Sequence, residues 1–121
     1  MQLSMITVWV ADPQALRDWY VEKLCARVVQ QTPRFVQLAW QDGAATVAFH
    51  LGAPLEHPER VQLHLRVADV DAVYRDLAAR GVTFDAPPAD KPWRLRTASF
   101  SDPTGHGLEL EMPIAAPGTR R

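Results

Sequence analysis

Three polar side chains in the middle of the chain have types and spacing that suit the binding of a polar ligand. Gln62, His64 and Arg66 alternate with the apolar residues Leu63 and Leu65. Successive side chains of a β-strand point to opposite faces, so this alternation predicts a strand with one apolar and one polar face. An amide, an imidazole and a guanidinium would then stand in a row, where they could offer hydrogen bonds or charge to a bound molecule.

The stretch that contains these residues has a counterpart near the N-terminus. Val10-Ala11-Asp12 matches Val67-Ala68-Asp69, and Ile6 corresponds to Leu63 at the same offset. A fixed offset of about half of the chain, with a shared apolar period, indicates two copies of one supersecondary unit. Each copy is predicted to begin with a strand that leads into a helix.

Length and composition exclude several classes of protein. The 121 residues suit one domain or two half-domains that share a core, and the net charge of −1 gives no field that would attract nucleic acid. No apolar segment reaches the length of a membrane span, and the first residues lack a signal-peptide pattern, so we expect a cytoplasmic protein with no membrane partner. The single cysteine, Cys25, excludes an intrachain disulfide, and its place late in an apolar helical pattern predicts a small core residue.

Turn and capping signals divide each copy into the order β-α-β-β-β. Asp12 and Asp69 are good N-cap residues and Gly81 is a typical helix stop, so one helix is predicted to begin after Asp12 and another to cover 69–80. Strands are predicted over 3–10, 27–31, 34–40 and 45–51 in the first copy and over 61–67, 82–85, 95–101 and 107–112 in the second. Turns are predicted at 41–43 and 102–105, and the prolines of 86–93 predict an irregular loop.

These elements predict an α+β fold in a single domain, residues 1–121. A first βαβββ module covers 3–51, a linker covers 52–60, a second βαβββ module covers 61–112 and a flexible tail covers 113–121. We expect the two modules to form a cup-shaped, mostly antiparallel eight-stranded sheet with the helices on its convex side.

The order of the elements and two short motifs resemble the vicinal oxygen chelate superfamily, which contains glyoxalases, bleomycin-resistance proteins and extradiol dioxygenases. The first motif is Val67-Ala68-Asp69-Val70-Asp71, followed by a helix that ends in Ala79-Arg80-Gly81-Val82. The second is Ser101-Asp102-Pro103-Thr104-Gly105-His106-Gly107-Leu108-Glu109-Leu110, which is similar to the Asp-Pro-x-Gly turn and the Glu that end the family's fold. With Val10-Ala11-Asp12 in the first half, the similarity covers nearly the whole chain.

The resemblance also implies where a metal ion would bind. Enzymes of this superfamily hold a divalent metal with His or Glu side chains from the first, fifth and eighth strands. Carried over by position, these ligands correspond to Met5, Gln62 and Glu109, of which only Glu109 is an anion. A thioether is a soft ligand that does not suit Fe, Mn, Ni or Zn in an oxygen-chelating site, and a Gln amide brings no charge. We therefore predict no cofactor and disfavour the metal-dependent chemistry of the family.

The leading prediction is a metal-free protein of the glyoxalase/bleomycin-resistance type that binds or sequesters a small aromatic or amphipathic molecule in the cup. Trp9 would offer a flat apolar platform, Trp93 could close over the ligand, and Arg66 could bind an anionic or carbonyl group. We also expect a homodimer. The predicted ligand-binding residues are Met5, Thr7, Trp9, His50, Gln62, His64, Arg66, Trp93 and Glu109.

Other interpretations of the same residues stay open. His50, His64 and Glu109 could form a facial triad for Fe, Mn, Ni or Zn, shifted one pleat along the strands. That site would support a metal-dependent glyoxalase-like lyase or isomerase, or a dioxygenase, with Glu109 and His64 as the candidate catalytic residues. Alternatively, Trp9 would pack in a dimer interface and Glu109 would simply pair with Arg66 or His64, as in a plain interaction module.

Overall fold

The computed structural model describes residues 1–40 and 45–115, and the chain divides into two compact units, Met1–Pro58 and Glu59–Arg121. The predicted turn at 41–43 and residues 116–121 of the predicted tail lie outside the described residues. The predicted grouping of the units into one domain stays a prediction, and each unit is therefore considered by itself.

The first unit contains a four-stranded sheet with a single helix among its described residues. The strand order is β1-β4-β3-β2, in which β1 runs parallel to β4 and the other two neighbouring pairs are antiparallel. The elements are β1 (Met5–Val10), α1 (Pro13–Leu24), β2 (Arg27–Thr32), β3 (Phe35–Ala39) and β4 (Thr46–Leu51).

The second unit repeats this arrangement. Its strand order is β5-β8-β7-β6, again with one parallel pair between the first and last strands and two antiparallel pairs. A short 3-10 helix at Pro58–Arg60 precedes it. The elements are β5 (Gln62–Arg66), α2 (Val70–Ala79), β6 (Phe84–Lys91), β7 (Leu95–Ser101) and β8 (Gly107–Pro113). The predicted α+β class and the two βαβββ repeats are confirmed, with the eight strands divided between two mixed four-stranded sheets.

Both helices begin where their capping residues predict. The Asp12 carboxylate accepts a hydrogen bond from the Ala15 N–H at 3.1 Å, and the Asp69 carboxylate accepts one from the Ala72 N–H at 3.1 Å. Each bond satisfies an N–H group that has no partner inside the helix, and Pro13 adds a residue whose fixed φ suits the first turn. Neither described helix is long and apolar enough to cross a membrane.

Each sheet turns an apolar face towards the helix of its own unit. Val8 and Val10 of β1 are buried, whereas Ile6, which has the same parity, is 44% exposed. In the first unit the ring of Tyr20 on α1 lies 5.1 Å from the ring of Phe49 on β4. Fully or almost fully buried residues of the second unit include Val70, Leu77, Ala98, Phe100, Leu108 and Leu110.

The predicted irregular loop over 86–93 is wrong for most of its length. Residues Phe84–Lys91 form β6, which pairs with β7 but shifts register between Phe84 and Ala86 and again between Ala86 and Ala89. Pro87 and Pro88 lie within the second shift, where no regular ladder bond is required of them. Since β6 is an edge strand, the missing N–H groups are tolerated, and a proline-rich segment can still pair.

The prediction that Cys25 is a core residue is also wrong. Cys25 is exposed and forms the C-cap of α1 with a left-handed backbone (φ 57°), and its N–H donates to the Tyr20 carbonyl. The left-handed residue reverses the chain direction and turns the side chain outward, so Ala26 takes the buried position instead. The apolar pattern of α1 therefore ends one residue earlier than the sequence pattern suggests.

Candidate functional site

The polar residues of the second unit are aligned by the parallel pairing of β5 with β8. His64 lies opposite Glu109, Arg66 lies opposite Glu111, and Gln62 lies opposite Gly107. Because these positions alternate with Leu residues, of which Leu63, Leu108 and Leu110 are buried, all of the polar side chains share one face of the sheet. The predicted polar face of β5 therefore forms, with carboxylates of β8 beside it.

A nitrogen and two carboxylate oxygens converge on this face. His64 Nδ1 lies 3.1 Å from Glu111 Oε1 and 3.5 Å from Glu109 Oε1. One ligand atom from each of the three residues lies within 4.8 Å of the others. The His64 side chain is 47% exposed, whereas those of Glu109 and Glu111 are 15% and 13% exposed. We refer to His64, Glu109 and Glu111 as the His–Glu cluster.

Neighbouring side chains hold the outer oxygens of both carboxylates. Gln62 Nε2 donates to Glu109 Oε2 at 3.4 Å, and Arg66 donates to Glu111 Oε2 through Nη2 at 2.8 Å and Nε at 3.1 Å. The Arg66 side chain is mostly exposed, so this ion pair adds little to stability but fixes the direction of the Glu111 carboxylate. Glu109 has the predicted contact with His64, and Arg66 pairs with Glu111 rather than with Glu109.

Glu111 is the cluster member that the predicted site lacks, and the alternative triad of His50, His64 and Glu109 stays a prediction because its members lie in different units. The parity of Glu111 equals that of Glu109, which is the signal that could have added it to the predicted set. His50 belongs to the first unit, where its Nδ1 lies 2.9 Å from the Leu51 carbonyl oxygen and its ring lies beside Trp9.

The first unit carries an aromatic row across three neighbouring strands. Trp9 of β1 is in register with His50 of β4, which is in register with Phe35 of β3. Ring centroids lie 5.9 Å apart for Trp9 and His50 and 6.1 Å apart for Phe35 and His50. Trp9 is 49% exposed, so about half of its surface is accessible. The role of Trp9 as a platform for a ligand stays a prediction.

Gly52 allows the indole to adopt this position. A Cβ on Gly52 would lie 2.5 Å from Trp9 Cδ1, closer than two unbonded atoms can approach. The Gly52 N–H donates to the Val10 carbonyl at 3.0 Å, which fixes its backbone beside β1. The indole thus lies directly over a residue without a side chain.

The remaining predicted ligand-binding residues occupy two kinds of position. Met5 and Thr7 share the face of β1 that carries Trp9, and Met5 is 40% exposed. Trp93 lies in the turn between β6 and β7 and is 63% exposed. No side chain of this group brings a charge to the site.

The positions at which relatives bind a metal do not fit a hard divalent ion in this chain. They hold the Met5 thioether, the Gln62 amide and the Glu109 carboxylate, and the Gln62 amide nitrogen points at Glu109. A set with one anionic ligand and one soft ligand suits none of the metals of oxygen-chelating enzymes. The expectation that these positions hold no metal ion stays a prediction.

The turn before β8 is held by a buried carboxylate. Asp102 Oδ1 accepts hydrogen bonds from the N–H groups of Thr104, Gly105 and His106 at 2.9–3.0 Å, and Asp102 Oδ2 lies 2.8 Å from His106 Nδ1. The side chains of Asp102 and His106 are 0% and 1% exposed. This turn sets the start of β8 and, with it, the positions of Glu109 and Glu111.

Comparison with known proteins agrees with the fold and with the family motifs. The family model of the Glyoxalase/Bleomycin resistance protein/Dioxygenase superfamily matches residues 2–110. No curated protein matches the chain significantly.

Solved structures of similar fold cover almost the whole chain. TnmS3, an antibiotic binding protein from Streptomyces sp. CB03234, is 30% identical with a TM-score of 0.82, over 93% of this chain and 96% of that chain. A glyoxalase/bleomycin resistance protein from the same strain is 29% identical with a TM-score of 0.75, over 92% and 100%. A superfamily protein from Nocardioides, 22% identical with a TM-score of 0.81 over 100% and 90%, shares the fold. The chain belongs to the glyoxalase/bleomycin resistance protein/dioxygenase superfamily.

Proposed function

We propose that this protein binds a small aromatic or amphipathic molecule and sequesters it rather than converting it. The observation that carries the proposal is the half-exposed indole of Trp9, which lies over Gly52 and continues into His50 and Phe35. Contiguous exposed apolar patches mark surfaces that bind ligands or partners. Offset or edge-to-face contacts with such a row favour a flat ring system.

The polar face of the second unit, considered by itself, carries side chains of the types found in small-molecule sites. Such sites combine apolar and aromatic surface with a few fixed polar groups that set the orientation of the ligand. His64 and Arg66 are exposed, and the carboxylates below them hold both side chains in place. Their imidazole and guanidinium groups are of the types that bind carbonyl, hydroxyl or charged groups.

Sequestration without a metal at the inherited positions is consistent with the residues found there. Met5 and Gln62 replace the ionic ligands that the family's enzymes use, so the inherited catalytic site is not maintained. The relative TnmS3 is an antibiotic binding protein, and its 30% identity supports an antibiotic-like compound as the ligand of this chain.

The test is a titration of the purified protein with a panel of polycyclic aromatic antibiotics. Binding should quench tryptophan fluorescence, raise the melting temperature and release measurable heat. Trp9→Ala should weaken binding at least about tenfold, which corresponds to about 1.4 kcal/mol and is within the range of a lost aromatic stack plus its buried area.

Two further variants test whether the position of the Trp9 indole determines the affinity, separately from changes in tryptophan emission. Gly52→Ala keeps the indole but displaces it, so it should weaken binding by a similar factor. Trp19→Phe, on α1, should change the emission without changing the affinity measured by calorimetry. An affinity that is equal in wild type, Trp9→Ala and Gly52→Ala, or a panel that gives no binding at all, would end the proposal.

A further inference from the structure

We infer that His64, Glu109 and Glu111 form a binding site for a divalent transition-metal ion such as Zn²⁺, displaced from the positions that the family's enzymes use. This site goes beyond the proposed sequestration of an aromatic molecule and does not depend on it. All three ligands belong to β5 and β8 of the second unit, so the site is complete within one sheet.

The two distances from His64 to the carboxylate oxygens match those between neighbouring ligands of a metal ion. Bonds of about 2.1 Å place neighbouring ligand atoms roughly 3.0 Å apart in an octahedron and roughly 3.4 Å apart in a tetrahedron. His64 Nδ1 lies 3.1 Å from Glu111 Oε1 and 3.5 Å from Glu109 Oε1. One imidazole nitrogen and two carboxylate oxygens are also donor types that Zn²⁺, Mn²⁺ and Fe²⁺ accept.

The partners of the two carboxylates leave the ligand atoms turned inward. Each Glu uses Oε2 for an outer neighbour, Gln62 for Glu109 and Arg66 for Glu111, and each directs Oε1 towards His64. Outer partners of this kind orient the ligands of natural metal sites and fix which oxygen binds. Glu109 and Glu111 therefore resemble metal ligands whose orientation is fixed by outer hydrogen-bond partners.

Charge and access both permit a cation to bind. Two carboxylates and the Arg66 guanidinium leave a single net negative charge when His64 is neutral, so a divalent ion is attracted. The carboxylates are largely shielded from water while the imidazole is half-exposed, which leaves an open side for entry. Three protein ligands would also leave positions for water or for a donor atom of a bound molecule.

The competing explanation is a protonated His64 that bridges the two carboxylates with no metal. Calorimetric titration of metal-stripped, tag-free protein with ZnCl₂ distinguishes the two, because a cluster that serves only as an ion pair takes up no stoichiometric ion. We expect one Zn²⁺ per chain. His64→Ala and Glu111→Gln should each weaken its affinity at least about tenfold, the lower end of the effect of altering a metal site.

Two histidine variants serve as controls. His57→Ala, an exposed His beside Glu56, should leave the Zn²⁺ affinity unchanged, which excludes non-specific histidine binding. His50→Ala should also leave it unchanged, and a tenfold loss there would assign the ion to the His50–His64–Glu109 triad and overturn this site. Absorption bands of bound Co²⁺ provide a second measurement of the ligand set.

A loss of Zn²⁺ affinity can be distinguished from a folding defect, and the Zn²⁺ titration contains no organic ligand. Glu111→Gln preserves the shape of the side chain, and its melting temperature without metal identifies a folding defect. A folded wild-type protein that takes up no Zn²⁺, or a folded Glu111→Gln variant with wild-type affinity, overturns the inference. Since the titration contains no aromatic compound, neither result bears on the sequestration proposal.

Discussion

Asp102 is the residue on which the start of β8 most depends. One of its oxygens accepts three backbone hydrogen bonds and the other lies against His106, with both side chains removed from water. Backbone N–H groups that lose a buried acceptor retain their full desolvation penalty. The geometry of Glu109 and Glu111 is therefore supported by a residue that binds no ligand itself.

Replacement of Asp102 by Ala should lower the free energy of unfolding by about 2–4 kcal/mol, because several buried groups lose their partner together. Urea unfolding followed by circular dichroism measures this loss. Ser101→Ala is the matched control, since its hydroxyl makes an exposed bond to Asp85 and its removal should cost less than about 0.5 kcal/mol. Equal urea midpoints for the two variants would contradict the structural role of Asp102.

At the scale of single residues, strand parity predicts the face on which a side chain lies but not the residue that it meets. The alternation of β5 correctly puts Gln62, His64 and Arg66 on one face. The meeting of His64 with Glu111 depends on the register between β5 and β8, which are separated by more than a third of the chain. No local pattern contains that register, so the parity that Glu111 shares with Glu109 indicates a common face but not the contact with His64.

At the scale of elements, Arg96 joins three parts of the second unit. It donates to both oxygens of Asp71, from Nε at 2.8 Å and Nη2 at 2.9 Å, and from Nη1 to Asp90 at 3.0 Å. Asp71 is in the first turn of α2, Asp90 is on β6 and Arg96 is on β7. The hydrogen bonds that Arg96 donates lower the pKa of the Asp71 carboxyl, and because Asp71 and Asp90 accept them the pKa of Arg96 is raised.

This ion pair predicts a pH dependence of stability. Because the folded-state pKa of Asp71 lies below its ordinary value of 3.8, the pair stabilises the fold above that pH. The stabilisation should disappear as the pH falls below 3.8 and through the folded-state pKa. The melting temperature of Asp71→Asn should therefore be lower than that of wild type at pH 7, and the difference should shrink in acid.

The matched control for this prediction is Asp76→Asn, which removes a more exposed pair with Arg80 on the same helix. Exposed pairs of this kind contribute little. A difference between wild type and Asp71→Asn that stays constant from pH 7 down into the acid range would contradict the role assigned to Arg96.

The helices can be predicted because their start signals are local. Strand β6 cannot, because it pairs with β7 despite its proline-rich composition. The starts of α1 and α2 follow from Asp12 and Asp69, because each cap acts on residues within three positions. The prolines of β6 argue against a strand, while its bulges and its place at the sheet edge accommodate them. The position of Cys25 differs from the prediction because a left-handed helix end leaves no mark in the sequence when the residue is not glycine.

At the scale of the whole molecule, the two units share one topology but carry different chemistry at equivalent places. Trp9 and Arg66 correspond in the internal repeat, and each is in register with a residue of the last strand of its unit, His50 or Glu111. The repeat itself can be predicted from the sequence, because the offset preserves the apolar period. The cup shape of the pair and the homodimer stay predictions.

The predicted homodimer should have twice the mass of the 13.5 kDa chain in sedimentation equilibrium. Exposed apolar side chains favour such an association, since burying them removes apolar area from water. Ile6 is the most informative of these, because it has the parity of the core residues Val8 and Val10 yet is 44% exposed. Ile6→Asn should therefore shift the population towards the mass of the single chain.

Leu55→Asn is the control for this experiment. Leu55 is similarly exposed, at 40%, but lies outside the strands and helices, so its replacement should leave the mass unchanged. A wild-type protein that sediments only as the single chain at all concentrations would show that the prediction of a homodimer is wrong.

The missing side chain of Gly52 has a consequence for how ligand preference could change. The indole of Trp9 lies so close to Gly52 that a side chain on this residue would collide with it, and any larger group would displace or tilt the ring. Substitutions at this position would therefore act as a spacer beneath the platform. New compounds could be accommodated, or old ones rejected, by altering a residue that none of them ever touches.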